Sequence, residues 1–299
     1  MAYQATIGAA TGAGHSLPRV RTITPSDLRE VLAKGLDDFR AMPTHVIFLS
    51  LIYPVAGLII ARATWGAALV PLLYPLAAGF ALLGPFAAVA IYELSRRREQ
   101  GLDTSWTHAF EVVHAESFRA ILALGLILLV LFGVWIAVAH AIYVAHFGYA
   151  APETITGFVR DVLTTDAGRS LIVVGNAVGF LFALAAFVIS VVAFPLLVDR
   201  NISVTGAVAT SVKAVVQNPV TMALWGLIVA AALLIGSLPL FIGLAVVMPV
   251  LGHSTWHLYR KVVVPDLPPR EAHSHPHKGR RYAAEFPAAL FPVYNKDDD

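Results

Sequence analysis

The chain has 299 residues, of which 58% are hydrophobic and 13% charged, with a mean hydropathy of +0.72 and a formal charge of +2. That leaves too little polar surface to solvate a globule of this size, so the composition describes a membrane protein and excludes a nucleic-acid binder. With no cysteine, disulfides, iron-sulfur clusters, thiolate metal sites and thiol catalysis are excluded too.

Residues 1–23 lack a basic start leading into a short apolar core, so no cleaved signal peptide is expected and the segment reads as disordered. The first membrane span is then expected to serve as the insertion signal. The next stretch, "TPSDLREVLAKGLDDFRAMP", predicts an amphipathic helix with Thr24 as N-cap, Pro25 at its first position and Asp27 closing a capping box. Leu28, Val31, Leu32, Leu36 and Phe39 form its apolar stripe.

A helix needs roughly 20 apolar residues to cross a hydrocarbon core. Such runs occur at residues 44–61, 67–92, 121–144 and 171–198. Residues 222–259 are too long for one crossing, and "GSLP" at residues 236–239 supplies a break. Two further spans are therefore predicted, at 220–236 and 239–259. With six spans and the N-terminus inside, Lys and Arg divide 18 to 3 in favour of the cytoplasmic side. Both termini are therefore expected in the cytoplasm.

Two more cytoplasmic segments repeat the pattern of a helix feeding a hairpin. "TSWTHAFEVVHAES", capped by Thr104 or Ser105, aligns Trp106, Phe110, Val113 and Ser117, and "SVTGAVATSVKAVVQNP" aligns Val208, Val212, Val215 and Val216. All three are too short and too polar to cross, and are expected to lie in the interface. Prolines recur at matching places: Pro43 and Pro219 end the first and third helices, and Pro85, Pro195 and Pro249 precede the polar exits. The fold class that follows is an all-α membrane protein, residues 24–264, with six transmembrane helices as three hairpins, each preceded by a cytoplasmic interfacial amphipathic helix. Outside the membrane, residues 145–169 predict a short helix over Ile155, Phe158, Val159 and Val162. Residues 265–299, with the histidine tract "HSHPH" and the ending "NKDDD", read as a disordered cytoplasmic tail.

Polar side chains within the spans are few. His140 is the one non-tyrosine titratable residue deep in a span, which argues against a charged ion pathway. His140 and His146 are six apart and face different sides of a helix, and Asn176, Ser190 and Ser50 read as packing groups. Gly175 and Gly179, in "GNAVG", predict a close helix contact. "GHSTWHLYR" places His253 and His257 one turn apart, with Arg260 following. These two histidines are the candidate metal ligands, with His45, His108 and His114 as imidazoles at the same level that could complete a transition-metal or haem site. The competing reading is an aromatic and basic belt of His257, Trp256, Tyr259 and Arg260. "SRRREQG" and Arg260 with Lys261 are expected to meet anionic headgroups. No phosphate loop, nucleophile elbow, HExxH motif or carboxylate pair occurs, so no catalytic residue and no cofactor is expected.

The stretches "PLLYPLAAGFALLGPFAAVAIYELSRRRE", "SWTHAF", "GNAVGFLFA", "FPLLVDR", "NPVTMALWGLIVA" and "PVLGHSTWHLYRKVV" together resemble an uncharacterised family of bacterial multi-span integral membrane proteins, a domain of unknown function found mainly in proteobacteria. The resemblance covers roughly residues 19–264 and implies an inner-membrane location and a multi-span fold, with no established activity. Some members bear the label cytochrome c oxidase subunit I. This chain lacks that subunit's larger set of spans and its several buried ligand histidines, so the label is not carried over. The function expected is a non-enzymatic accessory, assembly or scaffold component of a membrane complex, with lipids and a membrane-protein partner or a second copy as its contacts. A permease for a small neutral or amphiphilic solute is the second reading, using Pro54, Pro71, Pro75, Pro195 and Pro239 as helix breaks. A haem or metal protein built on His253 and His257 is the third.

Overall fold

The computed structural model of the chain describes residues 17–42, 70–150, 152–239 and 241–264. The first expected span, residues 44–61, and the tail lie outside the described residues, as do His45, Ser50 and Pro54. Eleven α-helices are described: α1 Asp27–Ala41, α2 Val70–Phe80, α3 Gly84–Ala87, α4 Val89–Glu99, α5 Phe118–Phe147, α6 Ile155–Thr164, α7 Asp166–Ser190, α8 Ala193–Asp199, α9 Val204–Gln217, α10 Pro219–Ser237 and α11 Leu244–Val262. Among the described residues there is no strand, only an isolated antiparallel bridge between Val20 and Val263.

Four helical stretches are long and apolar enough to cross a membrane: Pro71–Glu99, Phe118–Phe147, Asp166–Asp199 and Pro219–Ser237. They coincide with four of the expected spans. The sixth, expected over 239–259, is the helix α11, which is apolar only as far as Leu251 and is not among the four. Along α5 only 28% of the most apolar stretch is buried. Leu126, Val130, Val173, Phe180 and Leu227 point outward, as helices bathed in acyl chains require.

Helix starts follow local chemistry. The Thr154, Thr165 and Ser203 hydroxyls accept from the backbone N–H groups of Gly157, Gly168 and Gly206, at 3.0, 3.0 and 3.2 Å. At α1 the box closes from one side: Asp27 Oδ2 accepts from the Thr24 N–H at 2.8 Å and from its hydroxyl at 2.9 Å. α5 ends at Gly148, whose φ of 78° lies in the left-handed region that glycine tolerates.

Prolines break the long helices, and side chains repair the breaks. Pro195 cannot donate to the helix, which is interrupted between α7 and α8. Ser211 of α9 fills the gap, donating to the Val188 carbonyl at 2.8 Å and accepting from the Val192 N–H at 3.2 Å. Before Pro85 the chain tightens into the 3-10 turn Ala81–Leu83. Trp135 Nε1 donates to the Pro75 carbonyl at 2.9 Å. Its ring lies against Gly79 and Gly179, where an added Cβ would come within 2.6 and 2.9 Å of it. Gly175, by contrast, meets nothing within 4 Å, so the expected close contact is made by Gly179.

The three connecting segments differ from the stripes expected of them. In α1, Leu28 and Val31 are buried as expected, and the stripe is completed by Gly35 and Asp38. The second forms a 3-10 helix, Trp106–His114. Its three-residue period buries Ala109 and Val112 and leaves Phe110 and Val113 exposed. In α9 the buried face is Ala207, Thr210, Ser211 and Ala214, while Val216 is exposed. Small side chains win there because the helix must approach the α7–α8 break closely enough for Ser211 to bridge it.

Candidate functional site

Two close approaches build the site. At Gly35 an added Cβ would fall 2.0 Å from Ser254 Oγ and 2.7 Å from the Ser254 backbone nitrogen, so α1 lies directly on α11. At Gly252 an added Cβ would fall 2.9 Å from Ile91, which seats α4 against another face of α11. Residues one turn beyond each contact therefore converge.

Asp38 is at the centre. Its Oδ2 accepts from His257 Nε2 at 2.9 Å and from the Ser95 hydroxyl at 2.9 Å, and its Oδ1 accepts from Arg98 Nη1. Ser95 Oγ lies 2.6 Å from His253 Nδ1. Since the single Ser95 proton goes to Asp38, the bond from His253 is an Nδ1–H donation. His253 is fully buried, and its Nε2 has no partner among the described residues. Burial by itself would raise the Asp38 carboxyl. The His257 hydrogen bond, the charges of His257 and His253 and the Ser95 hydrogen bond more than offset it and hold the carboxyl below the usual range.

A second cluster continues the layer. Tyr259 donates to Asp199 Oδ2 at 2.6 Å, and Arg200 Nε and Arg260 Nη1 reach the same oxygen at 2.9 and 3.3 Å. Arg260 also binds Glu99, which accepts from Trp256 Nε1 at 3.0 Å. Glu93 and Arg96 form a fully buried bidentate pair at 2.7 and 2.9 Å. Arg97 pairs with Glu111, and Lys261 with Asp27 and Glu30. Asn218 ties residues 21–23 to the start of α10, accepting from the Ile23 N–H at 2.7 Å and donating to the Arg21 carbonyl at 3.0 Å.

The arrangement can hold helices together, and it does not have the form of a hydrolytic triad. In such a triad a histidine takes the serine proton and the carboxylate orients the histidine. Here the serine gives its proton to the carboxylate, and Ser95 is buried. The ring nitrogens that face Asp38 and Ser95 are committed to hydrogen bonds, and the Arg98 guanidinium stands beside them. Among the described residues no group of three His, Cys, Asp or Glu side chains is placed to hold a metal. His108 is tied elsewhere, to Glu111 and Asp103.

Residues 73–199 match the family described as predicted integral membrane protein (DUF2189). No curated protein and no solved structure matches the chain. The DUF2189 match runs from α2 through α8 and includes Ser95, Arg98, Glu99 and Asp199. Asp38, His253 and His257 lie outside it. The protein is an integral membrane protein, and its polar layer joins the matched segment to the helices on either side of it.

Several sequence-predicted residues have other surroundings than expected. Trp256 and Tyr259 are buried against Glu99 and Asp199 rather than forming an exposed belt. The "SRRR" arginines face acids of the protein itself: Glu93, Glu111 and Asp38. Asn176, by contrast, is the packing group expected, accepting from Tyr74 at 2.7 Å across α2 and α7, and His146 bridges α5 and α7 through Ser170 Oγ at 2.9 Å. Asp38, the hub, was missed. Its signal was its spacing from Leu28, Val31 and Gly35, which continues the buried stripe with an acid.

Proposed function

We propose that this protein is a non-enzymatic accessory, assembly or scaffold component of a membrane complex in the bacterial inner membrane, with both termini cytoplasmic. The observation that carries the reading is the commitment of the polar groups to one another. Asp38, Ser95, Arg98, Glu99, Asp199, Tyr259 and Arg260 are spent on joining α1, α4, α8 and α11 into one plate, leaving the outward helix flanks for lipid and partner. Two of the prolines that a permease would use are backed by side chains, Pro195 by Ser211 and Pro75 by Trp135. The 18 to 3 distribution of basic residues supports cytoplasmic ends, and the order of the segments supports three hairpins, each following a short helix. Headgroup contact falls to exposed basic residues such as Lys213 and Arg29.

The test is co-purification from native membranes after photo-crosslinking at Val173 or Leu227, both outward-facing. A stoichiometric membrane-protein adduct is expected. Solute uptake lost in a deletion strain and restored by the gene, or a stoichiometric metal or haem lost on His253→Ala with His257→Ala, would overturn the reading.

A further inference from the structure

α10 and α11 are antiparallel helices of 19 residues each. Their polar-layer ends start at one level, since Asn218 and Val262 both bond residues 21–23: Asn218 through Ile23 and Arg21, and Val262 through the Arg21 N–H at 2.7 Å. Contacts with neighbouring helices then measure how far the pair rises. Gly252 faces Ile91, and a Cβ added at Gly226 would fall 3.8 Å from the Phe187 ring. Above Ile91 the second apolar stretch continues for 20 residues to Pro71, about 30 Å, whereas above Gly252 α11 has eight residues left, about 12 Å. Above Phe187 α7 runs 21 residues to Asp166, about 31 Å, whereas above Gly226 α10 has 11 residues left, about 16 Å. With the turn that joins α10 to α11 counted, the tip of the pair stops roughly 10 Å below the far end of α7.

The chemistry of the tip fits that depth. No Asp, Glu, Lys or Arg occurs between Lys213 and Arg260, whereas the connection between α5 and α7 carries Glu153, Arg160 and Asp161, and the first turn of α7 adds Asp166 and Arg169. Leu234, Ile235, Leu238 and Ile242 around the tip are 63–75% exposed. Much of the described backbone of the turn is paired within the hairpin. The N–H groups of Leu238, Phe241, Ile242, Leu244 and Ala245 all donate to carbonyls within the hairpin, and the Ser237 hydroxyl donates to the Leu233 carbonyl at 2.8 Å. Pro239 has no N–H to satisfy. A turn in water has no need of this, and a turn in hydrocarbon cannot do without it.

We propose that α10 and α11 form a re-entrant hairpin, entering and leaving through the polar-layer side of the membrane, with its tip, at Leu238 and Ile242, among lipid acyl chains. This refines the three-hairpin reading: the third hairpin does not cross, and both termini stay on one side.

The chain's lack of cysteine makes the test clean. Leu238→Cys, Ile242→Cys and the control Tyr149→Cys, at a residue 90% exposed between α5 and α6, are treated with a membrane-impermeant maleimide in sealed vesicles of both orientations. Tyr149→Cys is expected to label from one face, and the two tip variants from neither, at least about tenfold more slowly. A fluorophore placed at either tip position, with a second variant guarding against a local packing defect, is expected to be quenched strongly by acyl-brominated lipid. Labelling of both tip variants from the face that labels Tyr149→Cys would overturn the proposal, because the hairpin would then cross. Shielding without quenching would overturn the lipid occupant and indicate a covering protein. Labelling of Tyr149→Cys from the cytoplasmic face would break the orientation reading alone and leave the depth comparison standing.

Discussion

α5 and α11 both begin or end at the polar layer, yet they are held by opposite means. α5 is apolar over 30 residues and leaves most of its flank bare, so its position is set by the solvent around it. α11 is apolar over its first eight residues, and its last eleven are locked to α1, α4 and α8 through His253, His257, Trp256, Tyr259 and Arg260. A uniform environment is readable from composition. A helix that passes from lipid into a protein layer is not, because its polar residues look the same whether they face headgroups or buried acids.

The comparison can be broken most forcefully at Gly35. Gly35→Val would drive a side chain into the backbone of Ser254, and is expected to destabilise the protein by about 3 kcal/mol or more in detergent thermal unfolding. Ser254→Gly should fail to rescue it, because the clash includes the Ser254 nitrogen and Cα. Full rescue would show that only the hydroxyl matters and that the helices are less close than they are drawn. Next is Asp38→Asn, which leaves Arg98 and His257 facing an amide and is expected to cost about 2 kcal/mol. Asp37→Asn, on the exposed side of the same helix, should be silent in the same assay.

The pH dependence of that difference sharpens it further. The folded Asp38 carboxyl sits below its unfolded value, so its contribution is present in full above the unfolded carboxylate range, near pH 4, and is lost as pH falls through the lower folded value. Wild type and Asp38→Asn should therefore differ by a constant amount from pH 7 to about pH 4 and converge below it. A gap that closes between pH 7 and 5 would place control in the histidines instead. A smaller effect is expected from Trp135→Phe, which removes the bond to the Pro75 carbonyl and should cost about 1 kcal/mol. Val173→Ala on the outward flank of α7 should change stability by no more than about 0.5 kcal/mol.

Much of this was legible in the chain. The apolar runs at 121–144 and 171–198 reappear inside α5 and α7–α8, because twenty apolar residues in a row have one favourable solvent. Ser203 and the Thr24 and Asp27 pair cap their helices because capping is local. The amphipathic stripes were less legible. Val208, Val212, Val215 and Val216 form a stripe by hydrophobicity, and the buried face is the small one, because approach distance rather than apolar area governs α9. The histidine pair was picked out on α11, and its role turned on Asp38, 219 residues away in sequence.

The sequence by itself determined that this is a helical membrane protein and where four of its long apolar stretches lie, since those follow from transfer of apolar surface and from local backbone chemistry. Only the tertiary structure decided which acid meets which base, that Gly35 and Gly252 bring α1 and α4 onto α11, and how far α10 and α11 rise beside their neighbours. Those depend on distances between segments remote in the chain, which no local pattern encodes.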